Sequence, residues 1–359
     1  MSDFYKTLVK ELNNDNTVLL SDGGNSSEVV GWIDTGSYAL NALCSGSMYG
    51  GIASNKITAL AGEPATGKTF FSLGIVNSFL EKDETAGVNI NDTESAITKK
   101  MMKDRGIDPA RLILSEPSTV QEFRHGSLQL LDKYMKHKKK PPLLMVLDSV
   151  GQLSTTKEVE DTMEGKETKD MSRAALLKAT FRVLNLKLAK AGVALLVTNH
   201  VYDVVGSMFP TKEMSGGSGL KYSASTILFL SKSKDKDGTE VVGNIIRVRA
   251  VKSRFSRENK TVQVRLSYDK GLDRYYGLLP IAEKHGLIKK VSTRFEMPDG
   301  SKAFEKAIYK NPEKYFTPEF MEKLELACNK EFQYGLGESY EDDMDEDEEY
   351  DIKEEKEID

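Results

Sequence analysis

The sequence predicts an α/β fold with a mostly parallel central sheet, and three observations carry that prediction. From about residue 31 onwards, short apolar runs alternate with longer stretches of helical period, the pattern of strands joined by crossover helices. A glycine-rich segment, GEPATGKT at 62–69, lies between one such run, KITALA, and the apolar stretch TFFSLGIVNSFL. A further run, LLMVLDSV, carries Asp148 at its end, the end of a parallel strand at which such sheets bind ligands.

Taken in order, residues 1–30 are polar, with an amphipathic helix near 3–12 and a Gly/Asn/Ser loop at 22–27, and read as an N-terminal extension. Strands are expected at 56–61, 87–91, 112–114, 143–148, 193–199 and 226–230, followed by two basic β-rich segments at 244–252 and 261–267. Helices are expected at 69–82, 94–105, 119–136 and 169–190, the last stopped by Gly192. The core spans 31–280. Residues 281–338 form a small helical or mixed C-terminal lobe, and 339–359 an acidic disordered tail.

Of the 359 residues 39% are hydrophobic and 29% charged, enough apolar surface to bury a core. No run approaches the roughly 18 apolar residues of a membrane span, and the start, MSDFYKTLVKEL, lacks a signal peptide's apolar stretch. Cys44 and Cys328 are far apart, and His125, His137, His200 and His285 are scattered. A soluble intracellular protein is expected, neither a zinc enzyme nor a disulfide scaffold.

The charge is asymmetric. Of 50 Lys/Arg and 55 Asp/Glu, residues 340–359 hold 2 and 13, a net −11, which leaves 48 and 42, a net +6, on the rest. A run such as EDDMDEDEE repels itself and buries nothing. It is either a solubilising tail or an anionic competitor for the chain's own basic surface.

Gly62-Glu63-Pro64-Ala65-Thr66-Gly67-Lys68-Thr69 fits G-x-x-x-x-G-K-[ST] in the strand–loop–helix context that gives the match meaning. Its glycines let the backbone wrap a phosphate with N–H groups pointing inwards, at a helix N-terminus that favours negative charge. Lys68 is expected to reach the β- and γ-phosphates, Thr69 to ligate Mg²⁺, and Asp148 to be the second Mg²⁺ anchor. A water-activating carboxylate must come from a strand end beside this loop. Asp92 and Glu94 both qualify, and Glu94 has the longer reach.

Five segments in order resemble the RecA-type recombinases: IDTGSYALNALCSG…ITALAGEPATGKT, NDTESAI, LLMVLDSVGQL, TNHVYDVVGSMFPTKEMSGGSG and the helix-forming LKYSAS after it. The likeness runs from about 31 to about 280, and its details look closest to the phage branch. It implies a RecA-type P-loop ATPase core with Glu94 as general base and Asp148-Ser149 as the Mg²⁺-side pair. His200 takes the place of the γ-phosphate-sensing Gln of bacterial members. Lys252 and Arg254 match two basic residues that reach the neighbouring subunit's ATP, as an arginine finger does. Where bacterial members stack a Tyr on adenine, the sequence reads TKKMM, leaving Met101 to cover the base.

The resemblance also implies that two loops, 155–169 and 201–219, line a filament axis and hold single-stranded DNA. Met208, Phe209, Gly216 and Gly217 supply apolar wedges and backbone freedom, and Arg173 a phosphate contact. Arg247, Arg249, Arg257, Lys260 and 133–140 add positive surface. The expected protein is an ATP- and Mg²⁺-dependent DNA recombinase. It polymerises on single-stranded DNA as a helical homo-oligomer, the N-terminal extension making subunit contacts, and exchanges strands with double-stranded DNA. A recombination mediator and a single-strand DNA-binding protein are the implied partners, and the host cytoplasm the location. The alternatives are a hexameric helicase of the same ATPase fold and an ATPase of that superfamily without a DNA role.

Overall fold

The computed structural model describes residues 2–14, 17–22, 27–166, 171–203, 212–268 and 271–335. Helix α1 (Ser2–Leu12) leads to a small antiparallel pair, β1 (Trp32–Ile33) and β2 (Ile52–Ala53), which flanks α2 (Tyr38–Ser45). Then come β3 (Ile57–Gly62), α3 (Lys68–Lys82), β4 (Gly87–Asp92), α4 (Lys99–Asp104), β5 (Leu112–Ser115), α5 (Val120–Lys136) and β6 (Leu143–Asp148). After α6 (Thr156–Met163) and α7 (Arg173–Ala191) follow β7 (Ala194–Asp203), β8 (Lys212–Met214), α8 (Ser218–Ser223), β9 (Thr226–Asp237), β10 (Glu240–Ser253), β11 (Thr261–Ser267) and β12 (Gly271–Leu272). The C-terminal part holds α9 (Leu278–Lys284), a three-stranded antiparallel sheet of β13 (Lys289–Val291), β14 (Arg294–Glu296) and β15 (Lys302–Phe304), and then α10 (Glu305–Lys310), α11 (Pro312–Tyr315) and α12 (Pro318–Phe332).

The main sheet runs β12-β11-β10-β9-β3-β7-β6-β4-β5, with β8 paired to β7. Its half from β9 to β5 is parallel, and the other half is antiparallel. The inner parallel strands β3, β7 and β6 are buried on both faces, so their sequences are nearly continuous apolar runs, whereas the edge strand β5 leaves Ile113 and Leu114 exposed. Alternation assigns the faces. Leu144 and Val146 of β6, with Ala194 and Leu196 of β7, join α2, α3, α9 and α12 in one cluster. Met145, Leu147, Leu195 and Val197 join α5, α7 and α8 in the other.

Several elements depart from the sequence expectation. The helix expected at 94–105 is confined to Lys99–Asp104, because the Asp92 carboxylate accepts the N–H groups of Glu94 (3.1 Å) and Ile97 (2.8 Å) and holds a turn there. The strand expected at 226–230 continues to Asp237 and turns through Gly238-Thr239, with Gly238 at φ 64, into β10, a long hairpin. The segment 155–169 is not all loop. Thr155 and Glu158 form a reciprocal capping box that starts α6. Residues 281–335 are mixed, as expected, but their apolar side chains are continuous with the first cluster rather than separate from it.

Candidate nucleotide site at the strand ends

The parallel pairing of four adjacent strands, β3, β7, β6 and β4, ends at nearly the same level, with Gly62 in register with His200 and Asp92 with Asp148, while β7 runs on to pair with β8. Their ends bring together the loop 62–69, His200, Asp148-Ser149 and Glu94. In the loop, Gly67 caps α3 with φ 92 and no side chain of its own, leaving the first N–H groups of the helix open to an anion. Glu63, Pro64 and Ala65 are exposed, while Thr66 is buried and donates to the Glu63 carbonyl at 2.6 Å. Ala65 sits at φ 58, a conformation that costs a side chain free energy and is kept where the surroundings require it.

Lys68 is only 6% exposed. Its ammonium donates to the carbonyls of Gly62 (3.0 Å) and Glu63 (2.9 Å) and lies 3.3 Å from His200 Nδ1. Burial lowers its pKa, against the opposing charges of Glu94 and Asp148. Asp148 is 4% exposed, and its pKa is raised by burial, although the hydroxyls of Thr198 and Thr69 hydrogen-bond it. Thr69 and Asp148 thus meet as a pair of hard oxygen donors, the type of ligand Mg²⁺ takes. The donor set fits a magnesium–triphosphate.

The two candidate bases separate cleanly. Asp92 is 2% exposed and both its oxygens are bound to its own turn. Glu94 is exposed. Its Oε1 accepts from Ser149 Oγ at 2.7 Å and lies 3.5 Å from His200 Nε2. Thr93 ties the two strand ends, its N–H donating to the Asp148 carbonyl (2.8 Å) and its hydroxyl to the Ser149 carbonyl (2.8 Å). Sequence reasoning passed over Thr93 and Thr198, although both stand beside named residues on alternating strands.

A second set of contacts leads away from the site. Asn199 Nδ2 donates to the Ser215 carbonyl (2.9 Å), the Ser215 hydroxyl donates to Asn199 Oδ1, and the Ser215 N–H donates to the His200 carbonyl (2.9 Å). Ser215 opens the return of the loop expected to hold DNA. Met208 and Phe209 lie outside the described residues. Gly216 and Gly217 are described, with φ 83 and 76, and a Cβ on Gly217 would come within 3.0 Å of Ala174 Cβ. Their lack of side chains therefore has a packing reason against α7.

Arg173 is half-buried and engaged with the backbone. Its guanidinium donates to the carbonyls of Leu153 (2.6 Å), Val150 (3.0 Å) and Gly151 (2.9 Å), fixing the turn after Ser149 to the start of α7. Arg257 and Lys260 are likewise engaged, with the Gln333 carbonyl and Glu331. Met101, on α4, is half-buried and packs against the core cluster, and its N–H donates to the Thr98 hydroxyl that caps the helix (3.2 Å). Lys252 donates to the carbonyls of Lys221 (2.8 Å) and Tyr222 (3.3 Å) at the end of α8. Arg254, just past the end of β10, is exposed.

Three comparisons set this geometry among known proteins. The family model described as the RecA N-terminal domain matches residues 5–273. The "Recombination and repair protein" of Enterobacteria phage T4 is 30% identical over 70% of this chain, and the match spans 63% of the T4 protein, under two thirds of its length. "Protein RecA" of Thermotoga sp. (strain RQ2) is 29% identical over 71% of this chain and 69% of its own. Among solved structures, the RadB recombinase is 24% identical, with a TM-score of 0.49 over 67% of this chain and 99% of its own. The strand-end site and the span of the family match lead to one conclusion: the chain belongs to the RecA N-terminal domain family.

Proposed function

We propose that this chain is an ATP-dependent DNA recombinase, which assembles on single-stranded DNA and pairs it with homologous duplex in recombination, repair and recombination-dependent replication. One observation carries the reading. The cluster of Lys68, Glu94, Ser149 and His200 at the strand ends is joined through Asn199 and Ser215 to the return of the loop expected to hold DNA.

Within the site, Glu94 is placed to take a proton from the attacking water as its oxygen bonds the γ-phosphorus and the bond to the β-phosphate oxygen breaks, giving ADP and phosphate. Ser149 orients Glu94 by donating to it. Lys68 leaves the Gly62 and Glu63 carbonyls for phosphate oxygens, and His200 follows the same charge from the other side of Glu94. Mg²⁺, held from Thr69 and Asp148, supplies charge neutralisation on the phosphates. Lys252 and Arg254 reach a neighbouring subunit's nucleotide, so turnover depends on assembly; for Lys252 this means leaving the α8 carbonyls. Because Asn199 and His200 are consecutive, a shift at the phosphate side moves Ser215 and the loop with it.

A recombination mediator and a single-strand binding protein are the partners this role calls for, in the host cell's cytoplasm. Among the described residues no helix is long and apolar enough to cross a membrane. Electron microscopy on circular single-stranded DNA, with Mg²⁺ and a slowly hydrolysed ATP analogue, tests the reading. Continuous helical filaments that lengthen the DNA are expected. Closed rings threaded by DNA would replace it with a helicase.

A further inference from the structure

The eight residues 133–140, between α5 and β6, hold five lysines, a histidine and no acid. Lys133 and Lys136 fall in the last turn of α5, where a cation meets the negative end of the helix. Lys138, Lys139 and Lys140 lie past the helix and have no such reason. All five lysines are exposed, and among the described residues none of them has an ion pair. Asp132, the acid next to them in sequence, is engaged with Lys187 (2.5 Å). The turn is nevertheless held in place. The Tyr134 hydroxyl donates to the Pro141 carbonyl (2.9 Å), the His137 N–H to the Tyr134 carbonyl (3.2 Å) and the Gly87 N–H to the Pro142 carbonyl (2.9 Å). Like charges gathered on a fixed turn repel one another at a cost in free energy, which a polyanion laid across them offsets.

The end of α12 shows where such a polyanion leaves the body. Arg257 binds the carbonyls of Phe332 (2.7 Å) and Gln333 (2.9 Å), and the Tyr334 hydroxyl donates to the Ser253 carbonyl (3.2 Å), so the chain exits beside the end of β10. One row crosses the sheet from there: Ser253, Thr226, Thr58, Leu196 and Val146 are in register on β10, β9, β3, β7 and β6. Pro141 precedes Val146 by five residues, so four strand spacings across and five residues along put the turn about 25 Å from the exit. Both lie at the end of the parallel strands opposite the nucleotide site. Ten extended residues after 335 reach up to about 35 Å, which brings the acidic run 341–349 onto the turn. Nearer the exit, Lys252, Arg257 and Lys260 are engaged with carbonyls or Glu331, and Arg254 offers one exposed charge.

We propose that the acidic run 341–349 docks on the turn 133–140 of its own chain, its carboxylates meeting Lys136, Lys138, Lys139 and Lys140. Residues 340–359 carry 13 Asp/Glu against 2 Lys, enough to neutralise all five cations. Any other polyanion, DNA included, has to displace the tail to use this surface. The inference does not depend on the nucleotide site.

Carbodiimide cross-linking of the full chain, read by mass spectrometry, joins a carboxylate to an amine it touches. At low salt, links from 341–349 to Lys136 and Lys138–Lys140 are expected to dominate those from the tail, and to fall about tenfold or more at about 0.5 M salt. In the triple variant Lys138→Gln, Lys139→Gln, Lys140→Gln, cleavage of the tail by a Glu-specific protease should quicken about fivefold or more. Tail links that fall mainly on other lysines, or cleavage as slow in the variant as in wild type, overturn the assignment. Links between labelled and unlabelled chains in an isotopic mixture, at the frequency of links within a chain, replace it with a contact between copies. No tail links at low salt, with duplex DNA binding lost in the triple variant, would give the turn to nucleic acid instead.

Discussion

Lys68 and Glu94 sit a few ångströms either side of His200 and have opposite duties, which single substitutions separate. Lys68→Ala removes the buried cation and is expected to abolish ATP binding along with turnover. Glu94→Gln keeps the shape and the Ser149 contact but cannot take a proton, so ATP binding persists while hydrolysis falls by about 10²-fold or more. Single-turnover hydrolysis beside equilibrium binding reads both, and wild-type turnover in Glu94→Gln would remove it as the base.

Asp34 offers a residue-scale prediction outside the site. Burial alone would raise its pKa, but hydrogen bonds from Arg274 (2.6 Å), Asn41 (2.9 Å) and the Gly36 N–H (2.9 Å) bring it down to about 2. A carboxylate with a depressed folded pKa contributes stability above its ordinary value near 3.8, and that stability is lost as pH falls from there towards 2. Asp34→Asn should therefore be less stable than wild type at pH 6, with the gap in urea midpoint closing between about pH 4 and 2. A gap independent of pH would mean that the packing around Asp34 matters and its charge does not.

Among the elements, α6 is the informative one. Its composition, TTKEVEDTMEGKETK, reads as a polar loop because no apolar stripe supports it, yet the Thr155–Glu158 box supplies the two reciprocal bonds that start a helix. Thr155→Ala removes one of them at a cost of about 1 kcal/mol. Amide exchange over 156–163 is then expected to quicken about fivefold, with α5 unchanged. Equal rates would show that the cap does not hold the helix. The phosphate loop, Asp148 and the buried strands were legible in the sequence because each depends on local spacing or an apolar run. The carbonyl partners of Arg173 and the packing of Met101 were not, because both are long-range contacts that no spacing encodes. Asp92 and Glu94 could be ranked but not separated until the turn that occupies Asp92 was seen.

At the scale of the whole molecule, the charge division between the body and residues 340–359 makes a prediction. This stretch lies outside the described residues, and its net −11 faces a body of net +6. If it competes with DNA, removing 340–359 tightens single-strand binding, moves the salt-titration midpoint upwards and lowers the Mg²⁺ needed. An unmoved midpoint leaves the tail as a solubiliser.

The family match ends at 273, but the hydrophobic cluster beneath it does not. Phe316, Phe320, Leu324 and Phe332 are buried among the same side chains as Leu40, Leu43 and Leu279. An expression fragment trimmed at the match boundary would strip the cover from α2 and turn core into an adhesive surface. In low-nucleotide buffer that fragment is expected to precipitate on storage, while one ending at 335 stays in solution. The unit expected to fold alone is therefore longer than the span of the family match.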